Sequence, residues 1–85
     1  MEIFEPADSR STFFADLLLP VPVPRLFTYR VPFDQHDHVQ TGIRAIVPFG
    51  PRKILTGIIL SVHQSPPQGY EARYILELLD HEPVV

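Results

Sequence analysis

The sequence contains no cysteine and few cationic side chains. Its 85 residues include seven lysines and arginines against ten aspartates and glutamates, and the net charge is −3. Without cysteine the chain forms neither disulfides nor thiolate zinc sites, which fits a reducing compartment. Binding along a phosphate backbone draws its affinity from many cations, so this charge balance leaves room only for a small nucleic-acid footprint.

Long apolar runs are also missing. The longest, residues 13–23, carries Asp16 and is broken by prolines, so it is too short and too interrupted to span a bilayer. The first residues are acidic and lack the basic segment of a signal peptide. We therefore expect a cytoplasmic chain with no membrane partner.

What is present is enough for one small domain. Hydrophobic residues make up 45% of the chain and charged residues 20%, which is a globular composition. A chain of this length holds a single core. Residues 1–11 mix charge, a proline and two serines without a sustained period, so we expect a flexible leader there and a single domain over residues 12–85.

A proline-rich segment precedes the most aromatic part of the chain. The prolines at positions 20, 22 and 24 fix φ and remove every second amide donor, which predicts a rigid, polyproline-like lead-in over residues 20–24. In the strand expected after it, Phe27, Tyr29 and Val31 share one face. On this pattern alone both Phe27 and Tyr29 belong in the core.

Four strands are predicted, over residues 12–19, 26–31, 43–49 and 54–62. The last is nearly all apolar and β-branched, which favours a central strand covered on both sides. Gly57 within it indicates a bulge or a close backbone approach. Residues 70–80 fit a strand or a helix equally well. Four or five strands with no secure helix indicate a small all-β sandwich or barrel.

Four motifs follow one another in an order that resembles a known family. They are LPVPVPRLFTY at residues 19–29, GIRAIVPFG at 42–50, GIILSV at 57–62 and ELLDHEP at 77–83. Together they resemble the N-terminal 3′-DNA-binding domain of the primosomal protein N′ (PriA) family, the replication-restart helicases. The resemblance implies a small antiparallel, β-barrel-like domain of OB-like character.

The same resemblance implies a function. The domain would capture the 3′-terminal nucleotide of the nascent leading strand at stalled replication forks, as a fragment of a larger helicase that restarts replication and assembles a primosome. The family's ATP-binding motif and cysteine-rich zinc region are absent from this sequence, so we expect no enzymatic activity and no cofactor here; ATP, Mg and zinc belong to other domains of the family. Expected partners are single-stranded or fork DNA with a free 3′ end, the helicase domains of the same polypeptide and primosome proteins.

Site residues also follow from the resemblance. Phe27 falls on the family's aromatic position, Gly50 on its glycine after Val-Pro-Phe, and Arg73 near a basic position where a lysine is familiar. Thr28 stands where the family often has an aspartate able to hydrogen-bond the terminal base. A 3′-end pocket requires an aromatic face, a backbone that comes close and a cation. The further candidates to contact the phosphate are Arg52 and Lys53.

Three other interpretations compete with this one. His36, Asp37 and His38 are metal-ligating residue types, but a site would need further ligands from distant histidines, so we expect no metal. No nucleophile elbow, phosphate loop or paired-carboxylate motif is present, so no catalytic residue is predicted. The alternative function is a protein–protein docking β module without nucleic-acid contact, which would bind 3′-hydroxyl and 3′-phosphate oligonucleotides equally poorly.

Overall fold

The computed structural model describes residues 12–83, which form an all-β domain. Its strands are β1 (Phe13–Leu18), β2 (Phe27–Val31), β3 (Arg44–Phe49), β4 (Lys53–His63) and β5 (Glu77–Leu78), with a 3₁₀ helix at Phe33–Gln35. They lie in the order β2-β1-β4-β3-β5, and neighbouring strands are antiparallel. The predicted fold class is confirmed, whereas the leader expected over residues 1–11 lies outside the described residues. Within residues 12–83 no helix is long and apolar enough to cross a membrane.

The sheet curls because one segment bonds to two different strands. We call residues 73–79 the closing segment. The Arg30 N–H in β2 donates to the Arg73 carbonyl at 2.7 Å, and the Ile75 N–H donates to the Arg30 carbonyl at 2.9 Å. The next residue, Leu76, donates its N–H to a β3 carbonyl at 2.8 Å. The closing segment therefore joins β2 to β3, gives the expected barrel-like shape, and is extended rather than helical.

A bidentate ion pair fastens the end of the closing segment to β3. The Arg44 backbone N–H donates to Asp80 Oδ2 at 2.8 Å, and its guanidinium donates to both carboxylate oxygens at 3.0 and 3.1 Å. Next to it, the Leu79 N–H donates to the Arg44 carbonyl at 2.8 Å. The hydrogen bonds from Arg44 hold the pKa of Asp80 below its ordinary value. Arg44 is therefore part of the scaffold.

The core lies on one face of the curled sheet, where strand alternation directs every second side chain. Phe27 packs against it while partly exposed, and Tyr29 is 5% exposed. The aromatic face predicted for β2 and the core position of Tyr29 are thus confirmed. The buried members of the core are Ala15, Leu17, Leu19, Tyr29, Val31, Ile43, Ala45, Val47, Ile59 and Ile75.

The long strand β4 occupies the middle of the sheet, as predicted. Its second face is open, because Ile54 is 65% exposed and Thr56 and Leu60 are exposed as well. The prediction that this strand is covered on both sides is therefore wrong. Branched apolar side chains fit a pleated strand even on its solvent face, so an apolar run does not by itself require burial on both sides.

A β-bulge in β4 changes the face that its last residues occupy. Leu17 pairs with Ile59, but the preceding residue, Asp16, pairs with Ser61, so one step along β1 matches two steps along β4. Leu60 is the extra residue of this bulge. Ile59 consequently lies in the core, whereas Ser61 lies beside Asp16 on the opposite face of the sheet, which we call the outer face.

Asp16 receives hydrogen bonds on the outer face from both neighbouring strands. Thr28 Oγ1 donates to Oδ1 at 2.7 Å, Ser61 Oγ donates to Oδ2 at 2.9 Å, and His63 Nε2 lies 3.0 Å from Oδ1. The Ser65 N–H donates to His63 Nδ1 at 3.1 Å, which leaves the Nε2 proton for Asp16. Burial raises the pKa of Asp16, but the hydrogen bonds from His63, Thr28 and Ser61 outweigh it, so the pKa is lowered overall.

Gly57 is a point of close approach, which was one of its two predicted roles. A Cβ at this position would lie 2.9 Å from the Leu18 carbonyl oxygen and 2.5 Å from Leu19 Cδ2. The bulge, the other predicted role, lies instead at Leu60. Glycine at position 57 therefore lets β1 and the residue after it pack directly against β4.

The lead-in does not adopt the predicted polyproline-like conformation. The Val21 N–H donates to the Leu19 carbonyl and the Arg25 N–H donates to the Val23 carbonyl, both at 2.8 Å. This i to i+2 pattern is that of γ-turns, whereas polyproline II has no internal hydrogen bonds. The residues between and after the prolines keep their amide protons, and two of them bond locally, so the lead-in bends.

We expect Gly57→Ala to lower the free energy of unfolding by about 1–3 kcal/mol, since the added methyl overpacks a contact with backbone. Urea unfolding measures the change. Thr56→Ser, on the adjacent exposed position, serves as the control and should stay within about 0.5 kcal/mol of wild type. A Gly57→Ala chain as stable as wild type would contradict the close approach.

We expect Asp16→Asn to destabilise the fold by about 1–2 kcal/mol at pH 7, because an amide cannot accept all the hydrogen bonds that the carboxylate accepts. The folded-state pKa of Asp16 is lowered, so its contribution is fully present above its ordinary pKa of 3.8 and is lost as the pH falls through the folded value. Urea unfolding at pH 7 and about pH 2.5 should show the deficit shrinking in acid. Asp34→Asn, at an exposed position, is the control, and an unchanged Asp16→Asn deficit at both pH values would refute this account.

Candidate nucleic-acid interface

A cleft of about 180 Å³ opens beside β2, next to the turn that follows β3. The four residues predicted for a DNA-end site, Phe27, Thr28, Gly50 and Arg73, all line it. They come from three separate segments that the fold brings together. The complete lining is Arg25, Phe27, Thr28, Tyr29, Pro48, Phe49, Gly50, Tyr70, Glu71 and Arg73.

Two phenylalanines and an arginine form the aromatic wall of this cleft. The rings of Phe27 and Phe49 meet edge to face, with centroids 5.3 Å apart and an interplanar angle of 84°. Strand alternation directs Phe27 toward the core, and its place near the start of β2 leaves it partly exposed. The exposed Arg25 guanidinium lies over the Phe27 ring, 4.8 Å from its centroid. The ring thus already holds a planar cationic group against one face.

The residues on either side of Phe49, Pro48 and Gly50, form the next wall of the cleft. Gly50 has a φ of +66°, a conformation that favours glycine, and a Cβ there would meet no atom within 4 Å. Its backbone conformation therefore explains the glycine within the fold, and its surroundings leave open space beside the backbone.

Two hydrogen bonds fix this wall. The Tyr29 hydroxyl donates to the Pro48 carbonyl at 2.7 Å, and Arg73 Nη1 donates to the Gly50 carbonyl at 2.8 Å. Burial raises the pKa of Tyr29, an effect that the charge of Arg73 only partly offsets, so the phenol keeps its proton and donates. Arg73 is exposed, and its remaining guanidinium N–H groups are available to a ligand in addition to this bond.

Thr28 presents one kind of hydrogen-bonding group. Its hydroxyl proton is donated to Asp16 at 2.7 Å, so the hydroxyl oxygen can act toward a ligand only as an acceptor. Its backbone N–H donates to the Tyr70 hydroxyl at 3.3 Å. Tyr70 thereby covers the free edge of β2 at the mouth of the cleft.

Charge in the cleft is mixed but mainly positive. Arg25 and Arg73 supply two guanidinium groups to the lining, and Glu71 supplies a carboxylate. Arg52 and Lys53 do not line the cleft. They line a neighbouring depression of about 280 Å³ that shares Phe49 and Gly50 with it.

Sequence reasoning named four of the ten lining residues, and Arg25 and Tyr70 are among those that it missed. Arg25 stands directly after the prolines, and that position is a usable signal. Tyr70 follows a loop rich in proline and glycine, where an aromatic residue is unusual. Residues 20–24 do not line the cleft, whereas Arg25, directly after them, does.

The histidines and acidic residues of the described chain do not converge on a metal centre. Within residues 12–83 no group of three or more histidine, aspartate or glutamate side chains is arranged to hold an ion. His36 stacks on Phe13 with centroids 4.3 Å apart, and its Nε2 lies 3.2 Å from the Val31 carbonyl oxygen. His38 meets His81 edge to face at 6.4 Å. Both histidines are thus engaged in packing contacts.

Comparison with known proteins identifies the family. The family model for the 3′ DNA-binding domain (3′BD) of PriA matches residues 16–85. The replication restart protein PriA of Bacillus subtilis (strain 168) is 37% identical over 76 residues, which cover 85% of this chain. The match spans 9% of the length of that relative. The chain belongs to the PriA 3′ DNA-binding domain family, a family of DNA-binding modules distinct from the helicase domain.

Proposed function

We propose that this domain binds the 3′-terminal nucleotide of single-stranded or fork DNA in the cleft beside β2. The observation that carries the proposal is the convergence of Phe27, Gly50 and Arg73 on one cleft from three separate segments. An aromatic face, an unobstructed backbone turn and a guanidinium are the groups that a nucleotide's base, sugar and phosphate need. The family match supports DNA as the ligand.

The terminal base would stack on Phe27. Stacking on an aromatic ring is worth about 1–3 kcal/mol per base and tolerates any base, which suits a protein that meets DNA ends of every sequence. Arg25 now covers this ring at 4.8 Å. In the complex its guanidinium either gives up the ring face to the base or stacks on the base from outside. The Thr28 oxygen then accepts a hydrogen bond from a base N–H.

The last phosphate would be held by Arg73 and by the exposed Arg25. Arg73 is already positioned by its bond to the Gly50 carbonyl, so little side-chain entropy is lost when its other N–H groups bind a phosphate oxygen. Gly50 leaves room for the sugar because a Cβ there is absent and its surroundings are open. Arg52 and Lys53, in the depression next to the cleft, extend the positive charge along the strand that enters it.

Discrimination between an end and an interior nucleotide would come from the acidic side of the cleft. A terminal nucleotide has a neutral 3′-hydroxyl, whereas an interior nucleotide carries a further phosphate there. Glu71 in the lining would repel that added negative charge. The cleft thus attracts one phosphate and disfavours a second.

The relative's printed name supports a role in replication restart. We propose that the domain captures the 3′ end of the nascent leading strand at stalled forks, as part of a replication restart protein in the cytoplasm. Its partners there are the helicase domains and primosome proteins. Binding by this chain itself requires neither ATP nor a metal ion.

We expect the 85-residue chain to bind a short single-stranded oligonucleotide with a 3′-hydroxyl at least about fivefold more tightly than the same oligonucleotide with a 3′-phosphate. Fluorescence anisotropy with a 5′-labelled probe measures both affinities. Phe27→Leu should weaken 3′-hydroxyl binding by about fivefold or more, because leucine retains much of the core packing but has no π-face.

Phe33→Ala, which removes an exposed ring that does not line the cleft, is the matched control and should bind as wild type does. Thermal unfolding confirms that each variant is folded. Equal binding to the two oligonucleotides would exclude end recognition. Equally poor binding to both would favour the docking module instead, and wild-type affinity in folded Phe27→Leu would remove Phe27 from the site.

A further inference from the structure

A second aromatic and cationic pair lies next to the cleft along β2. The Arg30 guanidinium is 5.3 Å from the centroid of the Phe14 ring on one side and 5.7 Å from the centroid of the Tyr74 ring on the other. Phe14 is 3% exposed and belongs to the fold, whereas Tyr74 is 54% exposed. The pair therefore presents one open aromatic ring and one arginine to solvent.

This pair is held in place by backbone rather than by side-chain packing alone. Arg30 and Tyr74 form a parallel β-bridge, framed by the Arg30 N–H bond to the Arg73 carbonyl and the Ile75 N–H bond to the Arg30 carbonyl. Two short hydrogen bonds thus fix both Cα positions. Tyr74 needs only its side-chain rotamer to be set when a ligand arrives, which lowers the entropic cost of binding.

Exposed tyrosines lie beside β2 both at the cleft and at this pair. Thr28 and Arg30 lie two residues apart on the outer face of β2, about 7 Å along the strand. The Tyr70 hydroxyl contacts β2 at the Thr28 N–H, and Tyr74 pairs with Arg30 in a parallel β-bridge. Tyr70 and Tyr74 thus each contact β2 at a residue whose side chain lies on the outer face.

We propose that Tyr74 and Arg30 form a second subsite, which binds the nucleotide preceding the terminal one. Tyr74 stacks its base and Arg30 contacts its phosphate, while the strand passes over Tyr70 as it leaves the cleft. Aromatic side chains that alternate with cations along a surface are the usual means of holding single-stranded DNA. This inference rests on the proposed function, since it assigns the path of DNA whose end occupies the cleft.

The charge on this surface supports DNA rather than an apolar partner. Asp16, the carboxylate paired in register with Thr28, contacts Thr28, Ser61 and His63, so both of its oxygens are already engaged. Arg30 has aromatic neighbours on both sides. A phosphate reaching Arg30 would therefore meet a guanidinium whose apolar faces are already covered.

The test compares ligands of increasing length. Thymidine 5′-monophosphate, pTpT and pTpTpT, all with 3′-hydroxyls, compete with a fluorescent 3′-hydroxyl oligonucleotide for the 85-residue chain. Wild type should gain about fivefold or more in affinity from the first nucleotide to the second, the lower end of what one stacked base contributes. Tyr74→Ala should lose this gain and keep wild-type affinity for the mononucleotide, and Tyr74→Phe should keep both.

Leu76→Ala is the matched control, because Leu76 is 51% exposed and belongs to the same closing segment. It should behave as wild type. If the mononucleotide competes but the second nucleotide adds nothing, or if Tyr74→Ala retains the gain, the second subsite is refuted while the cleft stands. If no ligand competes with wild type, the cleft and the subsite are both refuted.

Discussion

The closing segment, residues 73–79, is the element on which the rest of the structure depends. Its backbone bonds to β2 through its first residues and to β3 through its later ones, although β1 and β4 separate those strands in the sheet. This double pairing curls the sheet. It also brings Arg73 to the Gly50 carbonyl, 2.8 Å away. Without it, β2 and β3 would be linked only through β1 and β4.

Sequence patterns were sufficient wherever a residue's role follows from its neighbours in the chain. Alternation in β2 predicted Tyr29 in the core, and the glycine within the apolar strand predicted the close approach at Gly57. Patterns were insufficient where the partner lies far away. Tyr70 reaches Thr28 across 42 residues, and the contacts of Ser61 and His63 with Asp16 depend on a bulge that no residue type in β4 predicts.

The two wrong predictions share a physical cause. An apolar, branched strand was expected to be covered on both faces, and alternate prolines were expected to be extended. In both cases composition describes what a segment is able to form, whereas the outcome depends on its surroundings. The outer face of β4 stays open at Ile54, and the amides of Val21 and Arg25 bond to carbonyls two residues back.

Net negative charge and DNA binding are compatible here because the cations are concentrated. Arg25 and Arg73 line the cleft, Arg30 lies beside Tyr74, and Arg44 is paired with Asp80.

The most direct test of the proposed cleft is an amide ¹H–¹⁵N NMR titration of the 85-residue chain with a 3′-hydroxyl dinucleotide. Binding in the cleft predicts that the largest chemical-shift changes fall at the amides of Phe27, Gly50 and Arg73. Shifts confined to the open face of β4, or none in the cleft, would contradict it.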